Sequence, residues 1–115
     1  MGLKITKGVA PEWFYPTGQD EEDEGAASFK LAPLTGPQLL EVQSFVDQTT
    51  LIMKGAGLVL ACKLGMRDWR NVGDEKDKPL KCNRFTIDQL PAEVLAECGG
   101  RVIHMSVMDE EEIKN

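Results

Sequence analysis

The sequence predicts an α+β fold, a mainly helical single domain spanning residues 1–115, with three or four helices packed on a small N-terminal antiparallel sheet. Three observations lead there. Apolar and polar residues alternate in two early segments, apolar residues recur every three or four positions in three later ones, and proline and glycine cluster at the joints. A chain of 115 residues holds one core but not a core plus an independent second domain.

Leu3, Ile5 and Val9, set against Lys4, Thr6 and Lys7, have the period of a short half-buried strand. Next, Pro11-Glu12-Trp13-Phe14-Tyr15-Pro16 places three aromatics between two prolines, and an acidic run follows to Gly25. Residues 11–25 are therefore expected to form a mobile acidic and aromatic loop. Phe29, Leu31 and Pro33 alternate with Lys30 and Ala32, and Leu34 closes this second strand, which could pair with the first.

Thr35-Gly36-Pro37-Gln38 supplies a capping hydroxyl, a proline in the first turn and a glutamine able to reach back, so a helix should start there. Leu39, Val42, Phe45 and Val46 make it amphipathic through about Gln48, and Thr49-Thr50 breaks it. Leu51, Gly55, Leu58, Val59 and Cys62 give a second helix that ends before Gly65, and the two helices should pack as an antiparallel hairpin. Met66 to Val72 admits a short strand, and the charged segment from Gly73 to Lys81 reads as a surface loop. Pro91 opens a third helix that turns Val94, Leu95, Cys98, Val102, Ile103 and Met105 inward. Gly99 and Gly100 weaken it by about 1 kcal/mol each relative to alanine, which the close approach of a neighbouring helix would explain. Asp109 with Glu112 makes a capping pattern for one last turn.

The net charge of -6 is concentrated in Asp20–Glu24 and Asp109–Glu112. Both runs would repel a phosphate backbone, which argues against nucleic acid as the main partner. As solvated surface they need no partner, and they could also steer a basic one. Three widely spaced cysteines, Cys62, Cys82 and Cys98, form no disulfide framework and fit a reducing cytosol. No basic start followed by a long apolar run is present, so neither a signal peptide nor a membrane span is expected.

Residue types capable of chemistry are present without the spacing that chemistry needs. Cys62, Cys82, Cys98 and His104 could supply zinc ligands, but no two cysteines form the short chelating pair of structural zinc sites. Cys98 and His104 stand six apart on one helix and so project in different directions, which rules out a direct thiol–imidazole pair. Lys54-Gly55-Ala56-Gly57 lacks the remaining parts of a phosphate-binding loop. Glu93 and Glu97 share one helix face and read as solvated carboxylates. Lys76, Lys78, Lys81 and Arg84 are offset by Asp74, Glu75 and Asp77 and carry no interleaved aromatics. The expectation is a protein that is not an enzyme, with no catalytic residues, no cofactor and no metal. The candidate partner-binding residues are Trp13, Phe14 and Tyr15, because aromatic side chains supply contact area at low entropic cost. These rings could equally fold back over the sheet.

From Phe29 onward the order of features resembles the small tail assembly chaperones of long-tailed, siphovirus-type bacteriophages. The similarity is carried by Phe29-Lys30-Leu31-Ala32-Pro33-Leu34-Thr35-Gly36, by Trp69-Arg70-Asn71-Val72 with Asp74, by Ile87-Asp88-Gln89-Leu90-Pro91, and by Ser106-Val107-Met108-Asp109-Glu110-Glu111-Glu112-Ile113-Lys114-Asn115. The resemblance implies a viral protein of the host cytoplasm, without enzymatic activity and absent from the finished virion. Such a chaperone coats the tape measure protein and helps bring tail tube subunits to it. It implies neither nucleic-acid nor membrane binding, leaves open a homo-oligomer, and transfers no site residue by residue. Trp69 and Asn71 read as an aromatic anchor and a turn-stabilising amide. A structural tail or neck completion protein retained in the particle is the alternative.

Overall fold

The computed structural model describes Leu3 and residues 9–107. In chain order the elements are β1 (Glu12–Phe14), β2 (Ser28–Leu31), α1 (Gly36–Gln43), α2 (Gly55–Gly65), β3 (Met66–Arg70), α3 (Arg84–Ile87) and α4 (Ala92–Val107). The class is α+β as the sequence predicts: a three-stranded antiparallel sheet in the order β1-β2-β3 with four helices among the described residues. No helix among them is long and apolar enough to cross a membrane.

The sheet register sets the core. Phe14 pairs with Phe29 and Phe29 with Trp69, and Glu12 pairs with Leu31. Because side chains alternate along a strand, Phe29, Leu31 and Trp69 go to the helical side together. There they join Val42, Ala61, Cys62, Ile87, Cys98, Val102 and Met105 in one buried cluster. The loop expected over residues 11–25 is corrected at its start. Glu12–Phe14 is a strand, since Phe14 gains burial against the core only by pairing with β2. The strand expected over Leu3, Ile5 and Val9 falls mostly outside the described residues, as does the capping pattern at Asp109–Glu112.

Helix α1 starts as its sequence dictates, with Thr35 and Gln38 forming a reciprocal capping box. It ends at Gln43 rather than near Gln48. The reason lies in the side chains beyond. Ser44 Oγ donates to its own helix's Glu41 carbonyl at 2.6 Å, and Val46 bridges Met53 across a tight hairpin. Asp47 Oδ1 accepts from the Thr49 and Thr50 amides at 2.8 and 2.9 Å, giving the backbone an alternative to helix.

Those two amides, Thr50 first, hold the Asp47 carboxyl below its ordinary value. A carboxyl whose pKa is lowered on folding stabilises the folded hairpin above its unfolded value of about 3.9, and that contribution fades as pH falls through the lower folded value. In an acid titration followed by NMR, the Thr49 and Thr50 amide resonances should move together below pH about 3.9, and Asp47→Ala should abolish the step. Amides that stay fixed until the whole chain unfolds would contradict this.

Helix α2 touches α1, the neighbour that the hairpin reading expects, and packs more extensively on α4. Glycine decides this. A β-carbon on Gly99 would stand 2.5 Å from the Leu58 carbonyl oxygen, and one on Gly65 would stand 2.5 Å from Val102 Cγ1. The two helices therefore cross closely at positions without side chains. The short helix α3 lies where the periodicity predicts no element, and Asn83 and Thr86 start it with a second capping box. Lys63 and Asp88, 2.8 Å apart, link α2 to the end of α3.

Candidate partner-binding surface

The aromatic segment divides by the period of its strand. Phe14 packs against the core beside Phe29. Trp13 pairs with Lys30, and the Arg70 guanidinium lies 3.7 Å from the centre of its ring, a cation–π contact that fixes the indole on the sheet. Tyr15, half-buried, walls a shallow hollow with Gln19, Asp20 and Glu21. Trp13, Phe14 and Tyr15 thus do not form one docking patch. All three rings are half-buried, and each is engaged differently: Phe14 against the core, Trp13 under Arg70, and Tyr15 at the hollow.

After β1 the chain is held by named bonds. Glu12 Oε1 meets Arg101 Nε of α4 at 2.6 Å, and Glu97 Oε2 of α4 accepts from the Thr17 amide at 2.8 Å. Gln19 Oε1 accepts from the Ala27 amide at 2.7 Å. At the other end of the acidic run, Asn71 Nδ2 donates to the Glu24 and Ala26 carbonyls at 3.0 and 2.8 Å. Asn71 adopts φ 58°, a left-handed conformation that asparagine tolerates better than most residues. Inside the run, the Asp20 and Asp23 carboxylates accept from the Glu22 and Gly25 amides. The acidic segment is a capped turn whose remaining carboxylates, on Glu21, Glu22 and Glu24, are exposed.

This turn overlooks a groove of about 270 Å3, floored by Phe29, Val72, Leu90 and Val94 and rimmed by Pro16 and Gln19. The groove continues past Val72 and Gly73 into a second hollow of about 230 Å3, where Asp74 and Glu75 stand in the wall. Trp69 supports the far side. Its ring is edge-on to Phe29 with centroids 6.1 Å apart, and its Nε1 donates to the Leu80 carbonyl at 2.7 Å. The aromatic anchor and turn amide expected at Trp69 and Asn71 are what the structure shows. The groove itself has no sequence signature, since its walls come from four separate segments.

Two of the thiols are buried and the third is half-exposed. Cys62 and Cys98 are fully buried on facing helices, and Cys62 Sγ donates to the Leu95 carbonyl at 3.2 Å. Burial pushes the Cys62 thiol up to about 12, and burial, then neighbouring Cys62 and Glu97, pushes Cys98 up as well. Cys82 is half-exposed, and burial followed by Asp68 raises it to about 11. His104 is exposed on α4. No group of three or more metal-ligating side chains converges among the described residues. In a thiol-reagent assay of the folded protein at mildly alkaline pH, Cys82 should react slowly and alone, with Cys62 and Cys98 following only on unfolding. Rapid modification of all three would show that the α2–α4 interface opens readily.

Lys54-Gly55-Ala56-Gly57 opens α2, and its Gly57 is a packing position: a β-carbon there would run into Met53 Sδ and stand 2.8 Å from Phe45 Cβ. Large apolar side chains remain exposed at Leu40, Leu51, Ile52 and Phe85. The chain matches no family model, and comparison with curated proteins and with solved structures finds no match.

Proposed function

We propose that the protein is a phage tail assembly chaperone, which binds the tape measure protein and helps recruit tail tube subunits in the host cytoplasm. The reading comes from the resemblance in motif order. The observation that supports it is the placement of those motifs on the groove: Trp69 and Asn71 brace its wall, and Leu90 and Pro91 shape its floor where α4 begins. An apolar groove beside an acidic turn suits a polypeptide partner. The exposed Leu40, Leu51 and Ile52 offer further apolar area to a long chain.

Co-expression with a tape measure protein is the test. The chaperone should keep that protein soluble and co-purify with it, while mass spectrometry of finished particles should not find the chaperone. Insolubility of the tape measure protein under several conditions would refute the proposal. Presence of the chain in particles would instead favour a structural tail or neck component.

A further inference from the structure

We infer that the groove between Pro16 and Val94 is a docking site for a partner segment that presents an apolar side chain flanked by lysine or arginine. The floor is apolar and holds about 270 Å3. It is open along Val72 and Gly73 to the second hollow, and so offers a seat for an apolar side chain of a longer segment rather than an enclosed chamber. No ionisable side chain lies in its lining, and Asn71 is already committed to the Glu24 and Ala26 carbonyls. The groove therefore recognises its occupant by shape and apolar contact.

The acidic turn supplies the charge. Gln19 and Asn71, which line the groove, are also the residues that clamp the two ends of the acidic turn. The turn is thereby fixed beside the groove, with Glu21, Glu22 and Glu24 turned to solvent. Asp20 and Asp23 add charge while capping the turn from within. At the opposite end Asp74 and Glu75 line the adjoining hollow, although Lys76 and Lys78 in the same loop offset part of their field. The denser negative charge is on the acidic turn, which leaves the groove lining at Gln19 and returns to it at Ala27, while its Asp20 and Glu21 border the neighbouring Tyr15 hollow. Cationic residues flanking an inserted apolar side chain would meet that turn, gaining association rate and orientation.

This inference deepens the chaperone reading and rests on it only for the source of the partner segment. Its test is fluorescence anisotropy with three labelled synthetic peptides: alternating leucine and lysine, alternating serine and lysine, and alternating leucine and glutamate. The leucine–lysine peptide should bind at low salt, the serine–lysine peptide about tenfold more weakly, and the leucine–glutamate peptide not at all. Replacing Glu21, Glu22 and Glu24 by glutamine should weaken binding about tenfold at low salt and little at high salt, because screening already removes that contribution. Thr17→Lys, an exposed change at the groove mouth, should weaken it at both salt concentrations. Gln43→Lys, an exposed change on α1 outside the groove, should change nothing. Equal binding of the serine–lysine peptide, or full binding to folded Thr17→Lys protein, would overturn the inference in favour of diffuse charge attraction. Failure of the leucine–lysine peptide to bind would also overturn it. Peptide binding without rescue of a tape measure protein would keep the groove and remove the chaperone. Rescue without peptide binding would do the reverse.

Discussion

Trp69→Ala should lower the stability of the fold by about 3–5 kcal/mol, the range for deleting a buried aromatic. Trp69 is 7% exposed and joins three parts of the molecule. It sits on β3, meets Phe29 of β2 edge-on, and donates to Leu80 in the following loop. A small domain has only about 5–15 kcal/mol in hand, so the variant should unfold at a much lower urea concentration. The control is Trp69→Phe, which keeps a ring against Phe29 and removes only the indole donor. It should lose about 1 kcal/mol for the hydrogen bond, with some further loss for the smaller ring. Because the Leu80 amide also donates to the Val72 carbonyl at 2.9 Å, losing the anchor should loosen the hairpin that walls the groove. A midpoint for Trp69→Ala close to that of the parent would show that the ring is not a keystone of the core.

Neighbouring glycines in α4 should respond with opposite sign. A β-carbon on Gly99 would lie 2.5 Å from the carbonyl oxygen of Leu58 and 3.0 Å from its carbon. Those are backbone atoms of α2 and cannot swing aside, so Gly99→Ala must force the two helices apart. Overpacking of this kind costs about 1–3 kcal/mol, enough to outweigh the helix-propensity gain of about 1 kcal/mol. One position later, nothing lies within 4 Å of a β-carbon on Gly100. Gly100→Ala should therefore stabilise the protein by about 1 kcal/mol. Thermal melts of both variants decide the matter. Stabilisation of both would mean that α2 and α4 do not cross at Gly99.

Local features of the sequence were legible wherever one segment contained all the parts. The capping box at Thr35 and Gln38 fixes the start of α1, and Pro91 lies just before α4. Spacing alone put Cys62 and Cys98 on inward stripes, and both are fully buried. Capping at Asn83 and Thr86 was equally available and marks α3. The end of α1 was harder to read, since its apolar spacing continues through Phe45 and Val46. The turn is fixed by competing side-chain bonds from Ser44 and Asp47. Trp13, Phe14 and Tyr15 illustrate the other limit. Their composition marks them as contact residues, but only pairing with β2 determines which ring faces the core.

By itself, then, the sequence determined the fold class, the starts of α1 and α4 and the burial of two of its thiols. These follow from periodicity and capping, which act over a few residues. Only the tertiary structure decided that α2 packs chiefly on α4, that the acidic run is a clamped turn, and that it borders an apolar groove. Each of those depends on contacts between segments distant in the chain, such as Thr17 with Glu97 or Gly99 with Leu58. No local pattern encodes such a pair, because the free energy that forms it is gained only when the whole core closes.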